Sequence, residues 1–331
     1  MAPDSRLLPA SAALAALGLV IAATLIGPAN IPAGDAIAAL FGVGDDRHVI
    51  IVRDIRLPRA LAAFAAGAAL GASGAALQGL LRNPLADPGV LGVSSAAALG
   101  AIVAVYFNLA AAAVFATPLL AIAAALGATA LLYALGAGRV SPTRLILIGV
   151  GMSAFAGAAV ALVMNLAPNP FVLSDLVNWL FGTVANRSFN DLALVAPFMG
   201  AGLTAALLAA NGLSALTLGE EAAASIGADI GATRLLAISG AALMTGASVA
   251  LAGAIGFVGV VAPHLARPLA GGDPGRAILP AALIGGSILA AADLIIRLLP
   301  FDQELKLGVA AALIGAPGFV WIAARTQRIA R

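Results

Sequence analysis

Apolar residues in this chain come in runs of about twenty, separated by short breaks rich in proline, glycine and charge. A hydrocarbon layer roughly 30 Å thick is crossed by about 20 residues of helix rising 1.5 Å each, so the pattern predicts an all-α integral membrane protein. Predicted helices fall near 7–27, 60–81, 90–108, 111–136, 144–166, 191–211, 232–252, 255–270, 277–299 and 307–324, ten in all, forming a single transmembrane domain over residues 1–331. The break at Asn108–Ala111 is slight, and the run at 255–270 is short and carries His264 and Arg267 near its end. The run after Arg6, Leu7–Gly27, is about twice as long as the apolar region of a signal peptide, so a retained first helix is expected. A longer connection at 167–190 holds a short apolar segment, Phe171–Phe181, with Ser174, Asp175 and Asn178 on one side. It is expected to lie on the outer surface or partly re-enter, with Trp179 at the interface.

Composition sharpens this picture. With 62% hydrophobic and 10% charged residues there is too little polar surface to cover a soluble fold. Cysteine is absent, which excludes a disulfide framework and a thiolate metal site. The net charge of +2 is divided among the loops and gives no nucleic-acid footprint. With both termini cytoplasmic, ten lysines and arginines fall on the inner side and seven on the outer, a weak bias in the ordinary direction. Arg47, Arg53, Arg56 and Arg59 run against that bias. Either an acidic partner docks there, or these arginines snorkel to the headgroups.

Within the predicted spans Asp293 is the clearest ionisable residue, and Arg297 lies one turn later on the same face, where an i,i+4 pair can form. Such a pair serves the structure or takes part in transport. A path for a bare metal ion needs carboxylate, imidazole or thiolate ligands, and two histidines with no cysteine give no metal site. His264 is expected to make a structural hydrogen bond, and His48 to face solvent. Gly67, Gly71 and Gly74 on one predicted helix, and Gly253, Gly256 and Gly259 near another, point to close backbone packing.

One connection has a distinct grammar, Thr217 to Gly227. Thr217 and Glu220 have capping-box spacing, Glu220 and Glu221 sit in the first turn where the helix dipole favours acids, and Gly227 can end the helix. This predicts a rigid helix of about nine residues with an alanine face, which a groove on another protein could grip. No phosphate-cradling GxxxxGK loop occurs, and the one lysine, Lys306, stands in Gln303-Glu304-Leu305-Lys306. Any ATP that drives transport must bind another subunit.

These residues resemble the FecCD family, the permease subunits of bacterial ATP-binding cassette importers for iron-siderophores, haem and vitamin B12. The resemblance rests on Arg56-Leu57-Pro58-Arg59, Gly67 to Gly79, Asn83-Pro84-Leu85-Ala86-Asp87-Pro88-Gly89, Leu91-Gly92-Val93, Leu218-Gly219-Glu220-Glu221, Gly253 to Gly259, Pro263-His264 with Arg267, Ala292-Asp293 with Arg297, and Gly315-Ala316-Pro317. It implies a type II importer permease fold of about ten helices in the bacterial inner membrane. It also implies a second permease subunit as dimer partner, two ATPase subunits that bind ATP and magnesium, and a periplasmic or lipid-anchored substrate-binding protein. This chain would bind no cofactor and perform no catalysis. The resemblance places the ATPase-coupling helix within 217–228, at Leu218, Gly219, Glu220, Glu221, Ala222, Ser225 and Gly227. It gives Arg56, Arg59 and Arg297 the docking of the binding protein's acids, and Asn83, Leu85, Pro142 and Thr143 a cytoplasmic gate, although a proline at 142 departs from the hydroxyl residue the family pattern leads one to expect. The implied function is import of a ferric siderophore or haem by alternating access, with vitamin B12 as the alternative cargo and an ion-coupled carrier using Asp293 as the alternative mechanism. Arg82 to Gly89 and Arg267 to Gly275 share R, PLA and DPG in order, an echo on one predicted side of the membrane.

Overall fold

The computed structural model describes residues 7–135, 142–300 and 304–329, with 7–10, 142 and 319–329 described through their backbone alone. The predicted inner-side Arg6, Arg139 and Arg331 lie outside the described residues, as do the side chains of Pro142, Arg325 and Arg328. The chain opens with α1 (Leu7–Leu25), α2 (Ala33–Leu40) and α3 (Asp46–Val49), which runs through a π-helical turn, Ile50–Arg56, into α4 (Leu57–Leu81). There follow α5 (Val93–Tyr106), α6 (Leu109–Ala112), α7 (Ala116–Leu135), α8 (Pro142–Asn165) and α9 (Pro170–Leu180). The second half holds α10 (Phe189–Ala215), α11 (Glu220–Ser225), α12 (Ile230–Ala252), α13 (Val258–Ala266), α14 (Ile278–Leu298) and α15 (Leu307–Ile329).

A helix lies within each of the ten predicted stretches, but among the described residues six helical stretches are long and apolar enough to cross a membrane unaided. These are Asp46–Leu81, Ala116–Leu135, Thr143–Asn165, Phe189–Leu218, Ile230–Ala252 and Ile278–Leu298. The other apolar helices are shorter. The 14 residues of α5 rise about 21 Å and the 9 of α13 about 13 Å, less than the hydrocarbon thickness. Both begin after an irregular, glycine-bearing segment, Asn83–Gly92 before α5 and Gly253–Phe257 before α13.

The centre of the bundle is α4, packed against α14, α12, α13 and α10. Its glycines explain how. A Cβ at Gly67, Gly71 or Gly74 would collide with the backbone carbonyl of Gly285, Ala281 or Gly259, so the helices meet backbone to backbone as small-residue motifs allow. Buried hydroxyls join the same seam: Ser73 and Thr245 share a hydrogen bond of 2.9 Å, and Ser248 donates to the Ala66 carbonyl at 3.1 Å. With alanine dominating this core, close approach and dispersion replace the bulky side-chain interlock of a soluble protein.

In the connection at 167–190, Asn169 caps α9 by accepting from the amides of Phe171 and Val172, each at 3.0 Å. Ser174, Asp175 and Asn178 are exposed, as the pattern predicts. Trp179 is half-buried and packs on the core, with its carbonyl beside the positive-φ Gly253 that closes α12. His48 is also half-buried rather than freely solvated, 4.0 Å from Asp35.

Candidate functional site

Three places hold the polar residues of interest: one end of α4, the other end roughly 37 Å away, and a loop between them.

At the C-terminal end of α4, α10 runs through a 3-10 turn, Leu216–Leu218, and α11 crosses between α10 and α12. Gly219 makes the corner at φ 98°, which a side chain disfavours, and Gly227 at φ 87° ends the segment. The predicted capping box is absent. Thr217 donates its hydroxyl to the Ser214 carbonyl at 2.7 Å because the 3-10 turn points it backwards, so Gly219 is the N-cap and α11 has six residues rather than nine. Glu220 is engaged internally, accepting from Arg234 Nη2 at 2.6 Å, and this bond fastens α11 to the first turns of α12. Glu221, Ala222 and Ser225 are exposed, and Ala223 turns inward. Leu218 and Ile226 flank the helix at 63% and 66% exposure, an apolar pair on a polar rim that suits a partner protein.

Beside α11 the two echoing loops meet. Gln78, Gly79, Arg82, Arg267, Gly272 and Pro274 line a cavity of about 420 Å³ that also reaches Thr217. Arg267 donates to Gln78 Oε1 at 3.2 Å. Asp273 anchors its loop to α10 by accepting from Ser214 Oγ at 2.6 Å and from the Arg276 amide at 3.0 Å. Burial pushes the Asp273 carboxyl up, but the bonds from Ser214, Arg276 and Gly275 and the Arg276 charge outweigh it and hold the group below the usual carboxylate range. His264 does not make the structural hydrogen bond expected of it through Nδ1, which is buried without a partner among the described residues, and the ring lies near the Arg267 charge.

At the opposite end Arg56, Arg59 and Arg297 converge with Asp293 and Glu304. The i,i+4 pair is present, with Arg297 Nε 3.1 Å from Asp293 Oδ2 in an off-line geometry that makes it an ion pair and not a hydrogen bond. Sequence reasoning missed the rest of the network. Arg59 grips both oxygens of Asp293, with Nη2 at 2.8 Å and Nε at 3.0 and 3.2 Å, and reaches Glu304 with its remaining donors. Arg56 and Arg297 are interior residues at 4% and 9% exposure. Arg56 donates to the Leu25 and Ala29 carbonyls at 2.7 Å, and Arg297 to the Ala23 carbonyl at 2.8 Å, so both serve the orphaned last carbonyls of α1 and the loop after it. Glu304, the one exposed acid of the group, makes Arg59 the arginine with an exchangeable partner.

Between the ends, Asn83 Oδ1 accepts from the Leu85 amide at 2.9 Å and turns the chain inward after Arg82, whose φ is 49°. The loop Asn83–Gly92 reaches the middle of the bundle, where Ser153, near the centre of the 24-residue α8, donates to the Gly89 carbonyl at 2.8 Å. Thr143 is exposed in the first turn of α8. The loop carries Asp87, an acid at mid-membrane that the sequence reading did not single out. On insertion scales a charge at that depth costs about 2.5–3.5 kcal/mol.

A helical bundle with backbone-packed glycines, an apolar-flanked helix exposed at one end and an arginine–carboxylate network at the other has the build of a membrane permease. The chain belongs to the FecCD transport family, whose model matches residues 14–325. It is 39% identical over 293 residues to an uncharacterized ABC transporter permease protein, YvrB of Bacillus subtilis, covering 87% of this chain and 82% of that one. It is 36% identical to the vitamin B12 import system permease protein BtuC of Klebsiella pneumoniae, covering 94% and 93%. The Fe(3+) dicitrate transport system permease protein FecD of Escherichia coli is likewise 36% identical, with coverage of 85% and 87%. Among solved structures, one titled as an inward-facing conformation and assigned to the metal-chelate type of ABC transporter matches with a TM-score of 0.84 at 28% identity, covering 97% of this chain and 99% of that one.

Proposed function

We propose that this chain is the permease subunit of an ATP-driven importer that moves a chelated iron compound across the bacterial inner membrane. Two copies pair around the pathway as ten-helix subunits with both termini in the cytoplasm, two ATPase subunits bind ATP and magnesium beneath them, and a substrate-binding protein delivers cargo from outside. The chain itself hydrolyses nothing. The observation that carries this reading is α11, a six-residue helix between two long helices, locked to its neighbour by Glu220–Arg234 and bordered by exposed Leu218 and Ile226. Such a helix transmits force without bending, and a partner groove that seats on its apolar flanks can push both helices at once.

Cargo delivery would use the opposite end. Arg59 receives an acid of the binding protein directly, while Arg56 and Arg297 hold the end of α1 that frames it. Asn83, Leu85, Pro142 and Thr143 form the cytoplasmic gate. Iron chelates and vitamin B12 both occur in the names of the relatives, and vitamin B12 is the second cargo reading. An ion-coupled carrier working through Asp293 is disfavoured because two guanidiniums already engage that carboxylate.

Replacing Leu218 and Ile226 together by serine tests the coupling role. ATPase co-purification and ATP-driven uptake in proteoliposomes should fall at least tenfold while the permease remains folded; unchanged assembly and uptake would remove α11 from the mechanism.

A further inference from the structure

Asp87 stands at the waist of a groove that runs along one face of α8. Two cavities, of about 300 and 380 Å³, share Asp87, Gly89 and Gly256 and so form one continuous trough. The α8 residues that line it, Val150, Ser153, Gly157 and Val160, are spaced three, four and three apart, which places them on a single helix face. The trough therefore extends along the axis of α8 for about 15 Å, from Leu85 at one end to Leu180 of α9 at the other. It is unfilled beside both walls: a Cβ at Gly157 of α8, or at Gly256 in the segment before α13, would meet nothing within 4 Å.

Within this trough Asp87 is the one ionisable residue among those that line either cavity, accompanied by the hydroxyls of Ser94, Ser95 and Ser153. Among the described residues it has no cationic partner; its single hydrogen bond is from the Gly89 amide to Oδ1 at 2.7 Å. Oδ2 is left unbonded, and the backbone makes room for it, since a Cβ at Gly259 would fall 2.6 Å from that oxygen. Asp293 provides the contrast, an acid of the same chain neutralised by two arginines. A carboxyl kept unpaired in the middle of the bundle and facing an open trough favours a cationic visitor, because an incoming ammonium supplies the counter-charge that keeps it ionised, which a neutral or anionic group cannot do.

We propose that Asp87 is the charge-selective point of the transport pathway, taking a cationic group of the passing chelate and opposing anionic ones. This rests on the importer reading and assigns to the permease a selectivity separate from that of the binding protein. Ser94 and Ser95 complete the contact by offering hydroxyls to the neutral part of the cargo, while Ser153 holds the loop through the Gly89 carbonyl and the glycines leave room for the cargo's bulk.

The test uses the full complex with its ATPase and binding protein in proteoliposomes, supplied with three ferric trihydroxamates that differ at one terminus. One carries a free ammonium, one its neutral N-acetyl form and one its anionic N-succinyl form. Uptake is compared between the natural permease and Asp87→Asn at saturating binding protein, so the binding protein's own preference cancels in the ratio. Asparagine still accepts from the Gly89 amide, which preserves the turn. The natural-to-variant ratio should fall at least tenfold from the ammonium chelate to the succinyl one, and Asp87→Glu should keep the natural ranking. A ratio equal for all three chelates, with ATP-driven uptake intact, overturns this inference alone. Absence of ATP-driven uptake of any chelate by the natural complex overturns the importer reading on which it rests.

Discussion

Asp293 sits between Arg59 and Arg297 with 2% of its side chain exposed, and that placement sets what its loss would do. Replacing it by asparagine leaves the buried Arg297 without a counter-charge among the described residues and Arg59 with Glu304 alone, and removing one partner of a buried pair costs about 3–5 kcal/mol. Denaturation in detergent should show that loss for Asp293→Asn. An ion carrier would instead keep its stability and lose gradient-driven uptake. Glu304, exposed at 41%, is weakly held by comparison. Glu304→Gln should free Arg59 for an incoming acid and tighten binding-protein docking by roughly two- to fivefold, as the worth of an exposed ion pair allows; a titration with loaded binding protein measures it. Arg59→Glu should abolish docking. At this scale the sequence was legible for the Asp293–Arg297 spacing and not for Arg59–Asp293 or Arg59–Glu304, because those partners lie 234 and 245 positions apart and nothing local records their meeting. Asp87 was hidden for another reason. Its neighbours read as a loop motif, and that the loop reaches the middle of the bundle shows only in the structure, through the Ser153–Gly89 bond and the short α5.

At the scale of elements, α11 depends on Glu220–Arg234 for its angle to α12. Glu220→Arg should loosen that fastening and lower transport per ATP hydrolysed, and adding Arg234→Glu should restore most of it. The ratio of cargo moved to phosphate released reads the effect. The Asp273 loop, tied to α10 through Ser214, carries a pH dependence whose sign follows from its depressed carboxyl. A group with a lowered folded pKa stabilises fully above its unfolded value and loses that contribution as pH falls through the folded value. Cleavage of residues 271–277 by an acid protease, or their amide exchange relative to its intrinsic rate, should therefore rise below about pH 4, where free carboxyls of this kind protonate, and Asp273→Asn should show the faster rate above that range and converge with the natural chain below it. Element positions were largely legible here, since runs of apolar residues set helix extents within a few residues. The misread capping box at Thr217 shows the limit: spacing alone does not tell an α-helical first turn from a 3-10 turn that closes the helix before it.

For the whole molecule, a seam of backbone contacts replaces a core of large side chains. Gly71→Leu would drive a side chain into the Ala281 carbonyl, and α4 and α14 would have to separate. Expression of folded, monodisperse permease should fall sharply for this variant, and much less for a leucine at Gly151, where a Cβ meets nothing within 4 Å. The membrane class and the family were legible from hydropathy and ordered motifs, and the match over residues 14–325 agrees. The number of independent spans was not, because α5 and α13 are short helices completed by irregular segments that a hydropathy run cannot separate from helix. The central claim is that a separate ATPase seated on α11 drives this bundle. Its most direct test is uptake of a loaded chelate by proteoliposomes holding this permease with or without the ATPase. The account predicts uptake that requires the ATPase and hydrolysable ATP and disappears in the Leu218→Ser, Ile226→Ser double variant. Uptake by the permease alone, driven by a proton or sodium gradient, would contradict it.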